Sequence, residues 1–105
     1  MKDTIKDLKE RRSIKKYRDR QIEEADLQEI LKAGMNAPTG MGMQSPVMVV
    51  IQDKETISKL SKMNAKFLGN ESIDPFYGAP TVIVVLADKN RSTYVEDGSL
   101  VMGNL

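Results

Sequence analysis

The sequence predicts an α+β domain in which helices pack on a central sheet. Two short apolar runs rich in β-branched residues, 47–51 (VMVVI) and 81–87 (TVIVVLA), are typical of strands buried on both faces. The segments around them repeat apolar residues every three or four positions, as helices do. Leu, Ile, Val and Phe make up 26 of the 105 residues, more than the roughly 20% below which charged chains stay disordered. One folded domain covering 1–105 is therefore expected.

Four helices are predicted from this periodicity. The first spans about 4–11, with Thr4 as its N-cap and with Ile5 and Leu8 on its buried side. The second spans about 23–35 and is stopped by Pro38. The third and fourth occupy about 54–67 and the residues from about 91 onward. The apolar residues expected on the buried faces of these three helices are Leu27, Ile30, Leu31, Met35, Ile57, Leu60, Met63, Phe67, Val95, Leu100, Val101, Met102 and Leu105.

Composition excludes several classes of site. The absence of Cys rules out disulfides, thiolate metal ligands and thiol nucleophiles. The absence of His removes histidine-based triads and imidazole metal ligands. No apolar stretch approaches the ~20 residues of a membrane helix, and the N-terminus does not resemble a signal peptide. We therefore expect a cytoplasmic protein without membrane contact, whose chemistry must come from a cofactor.

Two features of the predicted fold indicate that it needs a further layer. Two strands form at best a marginal sheet, and their unpaired edges invite association. The last helix has no C-capping residue and stops on the apolar Leu105. We expect either a truncated domain or a partner that supplies the missing layer.

A basic segment, residues 9–20 (KERRSIKKYRDR), is the densest chemical signal. It carries seven basic and two acidic side chains, a local charge of +5 in a chain whose net charge is +1. If the chain is extended from Arg11 onward, Arg11, Ser13 and Lys15 project from one face. A guanidinium, a hydroxyl and an ammonium in a row suit a phosphate group. The alternative is an ordinary solvated run of charges.

The loop between the second helix and the first strand, 37–46, is the second signal. Gly40 and Gly42 would let the backbone approach a ligand closely, and prolines at either end stiffen the loop. Met41 and Met43 could lie against a flat ring because thioethers are soft and adaptable. The alternative is a glycine-rich connector with no ligand.

Together these segments resemble the FMN-dependent nitroreductase family. Its opening motif, Arg-(Arg/His)-Ser-x-(Arg/Lys)-x-(Phe/Tyr), is matched by Arg11, Arg12, Ser13, Lys15 and Tyr17. Its second motif, Ala-Pro-(Ser/Thr) followed by Gln-x-Pro before a strand, is matched by 37–40 and 44–46. A Gly-Ala-Pro turn at 78–80 precedes the second strand, as in the family.

The resemblance implies that the central sheet is mostly antiparallel. It also implies a dimeric flavoprotein in which NAD(P)H gives a hydride to flavin N5 and leaves. A small acceptor such as a nitroaromatic or quinone then takes the electrons in a ping-pong cycle. FMN would be the bound cofactor and NAD(P)H the electron donor, with no metal, no catalytic acid or base and no nucleic acid. The implied flavin contacts are Arg11, Arg12, Ser13 and Lys15 for the phosphate and ribityl oxygens, Pro38, Thr39 and Gly40 for the ring, and Asn64 for its polar edge.

Asn64 is equally compatible with an ordinary helix surface, and Gln44 is expected to hold the loop to the strand. The sequence departs from the family at Gly42, where Asn is common, and after Pro46, where no aromatic residue follows. Family members are also longer, with further helices, strands and flavin contacts beyond the matched part. The 105-residue chain alone is therefore expected to hold flavin poorly and to be inactive or weakly active.

Two other functions remain open at this stage. The first is a small nucleic-acid-binding module that uses segment 9–20, although only Tyr17 there could stack on a base and the rest of the chain carries −4. The second is an inactive fragment that only associates. A flavin absorbance band in the purified protein would favour the flavoprotein over both of these alternatives.

Overall fold

The computed structural model describes residues 2–105, which form four helices, one 3₁₀ turn and two strands. In chain order they are α1 (Lys2–Glu10), α2 (Glu24–Met35), the 3₁₀ turn (Gly40–Gly42), β1 (Val47–Ile51), α3 (Lys54–Phe67), β2 (Val82–Leu86) and α4 (Tyr94–Asn104). The predicted α+β class and the order of elements are confirmed.

The sheet consists of β1 and β2, paired antiparallel with Val47 opposite Leu86 and Ile51 opposite Val82. In β1, Val47 and Val49 are exposed while Met48 and Val50 are partly covered. The prediction of strands buried on both faces is therefore wrong. Val47 and Val49 lie on the same face of β1, so this face is less covered than the face that carries Met48 and Val50.

The core lies where α2, α4 and the sheet meet. Leu27 of α2 and Val101 of α4 are buried there. Gly34 lets the two helices approach, since a Cβ at this position would lie 2.8 Å from both Leu105 Cδ2 and Met48 Sδ. The Asn104 amide donates to the carbonyl of Ala33 at 2.9 Å, which ties the end of α4 to α2.

Helix α3 connects the two strands and begins at a well-formed cap. The Asp53 carboxylate accepts hydrogen bonds from the Thr56 hydroxyl at 2.6 Å and the Thr56 amide at 3.0 Å. These bonds hold the pKa of Asp53 below its ordinary value. The fully buried residue of this helix is Ala65.

Several faces predicted to be buried are exposed. Helix α1 already includes Lys2 and Asp3, so Thr4 lies inside it and is not its N-cap. Ile5 and Leu8 are 50% and 70% exposed because no described element packs against them. The same correction applies to Met35, Met63, Phe67, Val95, Leu100 and Met102.

The chain consequently exposes far more surface than a compact protein of its size. Its accessible surface is 8631 Å², against about 5,900 Å² for a compact protein of this mass. Its radius of gyration is 15.4 Å, against about 13 Å for a compact domain of this length. The described residues therefore leave large apolar areas available for contact.

Candidate functional site

The basic segment leaves α1 where the sequence predicts. The amide of Arg11 donates to the carbonyl of Asp7 at 3.0 Å, and α1 ends at Glu10. Residues 11–20 then form neither helix nor strand, and all of them are exposed. The segment therefore presents its cations to solvent.

The basic side chains of this segment differ in whether they hydrogen-bond within the chain. The Arg12 guanidinium donates to the carbonyls of Lys9 at 3.2 Å and Arg11 at 2.9 Å, so it folds back on the end of α1. Among residues 3–105, whose side chains the structure describes, the two ion pairs are Lys32–Glu29 and Lys59–Glu55, neither of which uses the segment. The side chains of Arg11, Ser13 and Lys15 thus keep their donors available for a ligand.

The far end of the segment is tied to the sheet. The Gln21 amide donates to the carbonyl of Pro80 at 3.0 Å, and the Thr81 hydroxyl hydrogen-bonds to Gln21 Oε1. Gln52, just after β1, donates to the same hydroxyl at 3.1 Å. The segment is therefore anchored at both ends, which restricts where its cations can lie.

The 37–46 loop is a compact turn that its own hydrogen bonds hold together. Thr39 Oγ1 accepts from the amide of Gln44 at 2.9 Å, and the Thr39 carbonyl accepts from Gly42 at 3.1 Å. Gln44 thus holds the loop through its backbone. Met41 has a φ of 56° and its side chain is 97% exposed.

Gly40 packs against Thr93 at the N-cap of α4, so a contact within the chain already requires glycine there, and the approach of a ligand to this backbone stays a prediction. A Cβ at Gly40 would overlap the hydroxyl of Thr93. The Gly40 amide donates to Asp97 Oδ1 at 2.9 Å, and the Thr93 hydroxyl donates to Asp97 Oδ2 at 2.9 Å. Gly42, with a φ of 64°, has open space around it.

Sequence reasoning missed Asp97, which is only 3% exposed. An acid in the first turn of a helix ordinarily complements the helix dipole in solvent. The available signal was Thr93, a hydroxyl residue at the N-cap position one turn before the acid. That pairing is too common to identify a buried carboxylate.

Cavities on the described chain do not bring the predicted flavin contacts together. One of about 830 Å³, the largest of the three considered, lies between α3 and the 71–80 loop. A second of about 360 Å³ is lined by Arg18, Arg20 and the apolar residues around Ile22. The third, about 150 Å³, includes Thr39. Arg11–Lys15 and Asn64 line none of these three, and Asn64 is an exposed residue of α3.

The wall of the largest cavity contains an organised turn at Asp74. Its carboxylate accepts from the Ser61 hydroxyl at 2.7 Å and from the amides of Phe76 at 3.0 Å and Gly78 at 2.7 Å. The Ser61 hydrogen bond, followed by the two amides, lowers the pKa of Asp74 below its ordinary value of 3.8. Asp74 therefore links α3 to the turn that precedes β2.

A family model described as the nitroreductase family matches residues 8–100 of the chain. The chain belongs to the nitroreductase family. The fold and the two sequence motifs are thus those of this family. No helix among residues 2–105 is both long and apolar enough to span a bilayer.

Individual nitroreductase relatives agree with the family match. The chain is 33% identical over 92 residues to the FMN reductase (NAD(P)H) of Bacillus subtilis, covering 88% of the chain and 34% of that protein. An FMN-dependent nitroreductase structure from Clostridium difficile R20291 is 36% identical, with a TM-score of 0.81, over 95% of this chain and 56% of that one. An FMN-bound nitroreductase from Bacteroides fragilis has a TM-score of 0.88 at 24% identity, over 97% and 61%.

These matches cover most of this chain but only part of each relative. The chain spans between 34% and 53% of the length of the curated relatives it matches. It therefore corresponds to one part of each relative.

Proposed function

We propose that the chain contributes the flavin-binding part of an NAD(P)H-dependent oxidoreductase that uses FMN. The observation that carries the proposal is the exposed basic segment, whose Arg11, Ser13 and Lys15 side chains stand at the positions of the family motif with no acidic partner among residues 2–105. Relatives named FMN reductase (NAD(P)H) and FMN-dependent nitroreductase support the same assignment.

The donor set fits the phosphate end of FMN. A phosphate dianion takes charge-assisted hydrogen bonds from guanidinium, ammonium and hydroxyl groups, and this segment offers one of each. The Arg12 guanidinium, which donates to backbone carbonyls at the end of α1, would either hold the start of the segment in place or change rotamer to contact the phosphate. The exposed thioethers of Met41 and Met43 offer soft apolar contact for the ring, beside Pro38, Thr39 and Gly40. Asn64 remains a proposed contact for the polar edge.

The chain's residues would bind, orient and neutralise, because none is placed as a catalytic acid or base. Bound flavin would supply the electron-transfer chemistry between NAD(P)H and a nitroaromatic or quinone-like acceptor in a ping-pong cycle. Arg11 and Lys15 would offset the phosphate charge, while the loop would fix the ring by contact. This division of work suits a chain without His or Cys.

We also propose that the functional form is a homodimer. The accessible surface of each chain exceeds the compact value by about 2,700 Å², so two chains could together bury about 5,400 Å², the size of a large obligate interface. The loop with Met41 lies in this exposed part of the molecule. A second copy could therefore cover one side of the ring site.

The phosphate contact is tested by comparing FMN with riboflavin, which lacks the phosphate. Fluorescence titrations would measure both affinities for the wild type, Lys15→Ala and the matched control Lys16→Ala. Lys15→Ala should weaken FMN binding by about 10- to 150-fold, the value of one charge-assisted hydrogen bond, and leave riboflavin binding unchanged. Lys16→Ala should change both affinities by less than about threefold, because an exposed charge outside the contact is screened.

Equal losses for FMN and riboflavin in Lys15→Ala would show that the residue does not contact the phosphate. Because the chain alone is expected to hold flavin poorly, the titrations extend to high flavin concentrations, and no saturable binding by the wild type there would contradict the cofactor assignment for this chain. Oxidation of NAD(P)H that depends on both added FMN and a quinone would support the oxidoreductase activity, and its absence in a flavin-loaded sample would contradict it.

A further inference from the structure

Asp97 is a buried acid that the proposed flavin contacts do not use. It is 3% exposed, in the first turn of α4. Among residues 3–105, whose side chains the structure describes, it is the buried charged residue. Burying a carboxylate costs free energy unless hydrogen bonds compensate it, so its partners indicate what it does.

Both oxygens of Asp97 are engaged, and one of them reaches across the chain. Oδ1 accepts from the amide of Gly40, 57 residues away in sequence, at 2.9 Å. Oδ2 accepts from the Thr93 hydroxyl at 2.9 Å, within its own helix. Hydrogen bonds to a carboxylate are about twice as strong as neutral ones. The carboxylate therefore fastens the 37–46 loop to α4.

The fastened turn carries the most exposed methionine of the loop. Met41 follows Gly40 directly and has a φ of 56°, a left-handed conformation that residues with a side chain rarely adopt. Such strain persists where surrounding contacts impose it, and it concentrates at functional sites. Asp97 holds one end of this turn, and the bond from Gln44 to Thr39 holds the other.

We propose that Asp97 is a positioning residue that fixes the Gly40 turn, and with it the exposed thioether of Met41, in the geometry that receives a flavin ring. The inference rests on the proposed function, because the ring is the ligand that this turn would meet. The hydrogen-bond pattern carries most of this role, and the charge strengthens each bond. Asn at 97 can accept from Gly40 and donate to the Thr93 oxygen, whereas Ala leaves the Gly40 amide unpaired.

The anchor is tested first without flavin, by NMR hydrogen exchange of the Gly40 amide in the full 105-residue chain. Asp97→Ala should exchange at least about ten times faster than the wild type, the value of one lost hydrogen bond. Asp97→Asn should stay close to the wild type. Glu96→Ala, which removes the same charge from the exposed neighbouring position, should also leave Gly40 protected. Unchanged protection in Asp97→Ala, or equal losses in Asp97→Asn and Asp97→Ala, would overturn the proposal.

Folding is monitored by circular dichroism. If Asp97→Ala loses its helical signal, Asp97→Leu serves as a second variant, whose apolar side chain occupies the site without an acceptor. Loss of helix in both variants would overturn the proposal by making Asp97 a residue needed for folding alone. Fluorescence titration with FMN follows on the same proteins. Asp97→Ala and Asp97→Leu should bind about tenfold more weakly, with Asp97→Asn and Glu96→Ala unchanged.

The two measurements separate the inference from the proposed function. Failure of every protein to bind FMN, the wild type included, would contradict the proposed function, while Gly40 exchange still decides whether Asp97 anchors the loop. Faster Gly40 exchange with unchanged FMN affinity would overturn the positioning role.

Discussion

Replacing Gly40 by alanine should destabilise the chain by about 2–5 kcal/mol. Gly40 is not among the glycines with positive φ, so alanine meets no backbone penalty there. The cost comes from Thr93, whose hydroxyl the new Cβ would overlap and whose Cβ and Cγ2 would each lie 3.1 Å away. Overpacking against a short branched side chain costs about 1–3 kcal/mol. Displacing the Gly40 amide from the Asp97 carboxylate destabilises the folded state by about 1.5–3 kcal/mol more. Alanine also restricts the unfolded chain more than glycine does, which offsets a few tenths of a kcal/mol of this loss.

Urea unfolding followed by circular dichroism measures this loss. Gly103→Ala is the matched control, since nothing lies within 4 Å of a Cβ at that helical position, and it should gain about 0.5 kcal/mol. The double variant Gly40→Ala/Thr93→Ala removes two of the three obstructing atoms, the hydroxyl and Cγ2 of Thr93, so its loss should be smaller than the sum of the two single losses. Equal stability of Gly40→Ala and Gly103→Ala, or strict additivity in the double variant, would refute the reasoning.

Met41→Gly should stabilise the chain by about 0.5–1 kcal/mol, because it relieves the left-handed conformation while the 97% exposed side chain loses no contact; a lower urea midpoint would contradict this. The depressed pKa of Asp74 means that its carboxylate stabilises the folded state above pH 3.8 and that this contribution is lost as the pH falls through its lower folded pKa. Urea midpoints of the wild type and Asp74→Asn should therefore differ at neutral pH and converge in strong acid, and a constant difference would rule this out. The exposed apolar surface predicts self-association. In sedimentation velocity the fraction of dimer should rise with protein concentration, and a monomer at every concentration would contradict this.

The positions of the elements could be predicted from the sequence to within a few residues. The runs at 47–51 and 54–67 coincide with β1 and α3 because β-branched clustering and helical spacing are local properties of the chain. Burial could not be predicted in the same way. Ile5, Leu8 and Phe67 stand at the expected spacing, yet they are exposed because burial depends on whether another element packs there.

For the candidate site, too, local features could be predicted from the sequence and long-range contacts could not. Segment 11–17 and the 37–46 loop were identified because their residue types and order are visible in sequence. The contact between Gly40 and Asp97 was missed because 57 residues separate the partners and neither has an unusual neighbourhood. The packing of Gly40 against Thr93 was missed for the same reason, since only the structure places the two residues together.

The hydrogen bond between Gly40 and Asp97 also has a consequence for the order of folding. It closes a long loop, and the entropy of that closure is lost before the contact can contribute. During synthesis the basic segment and the 37–46 loop leave the ribosome well before residue 97 does. The turn therefore has to wait, without its anchor, until α4 has emerged and docked on α2 and the sheet. The turn that would meet a flavin ring can therefore take up its anchored geometry only after α4 has formed.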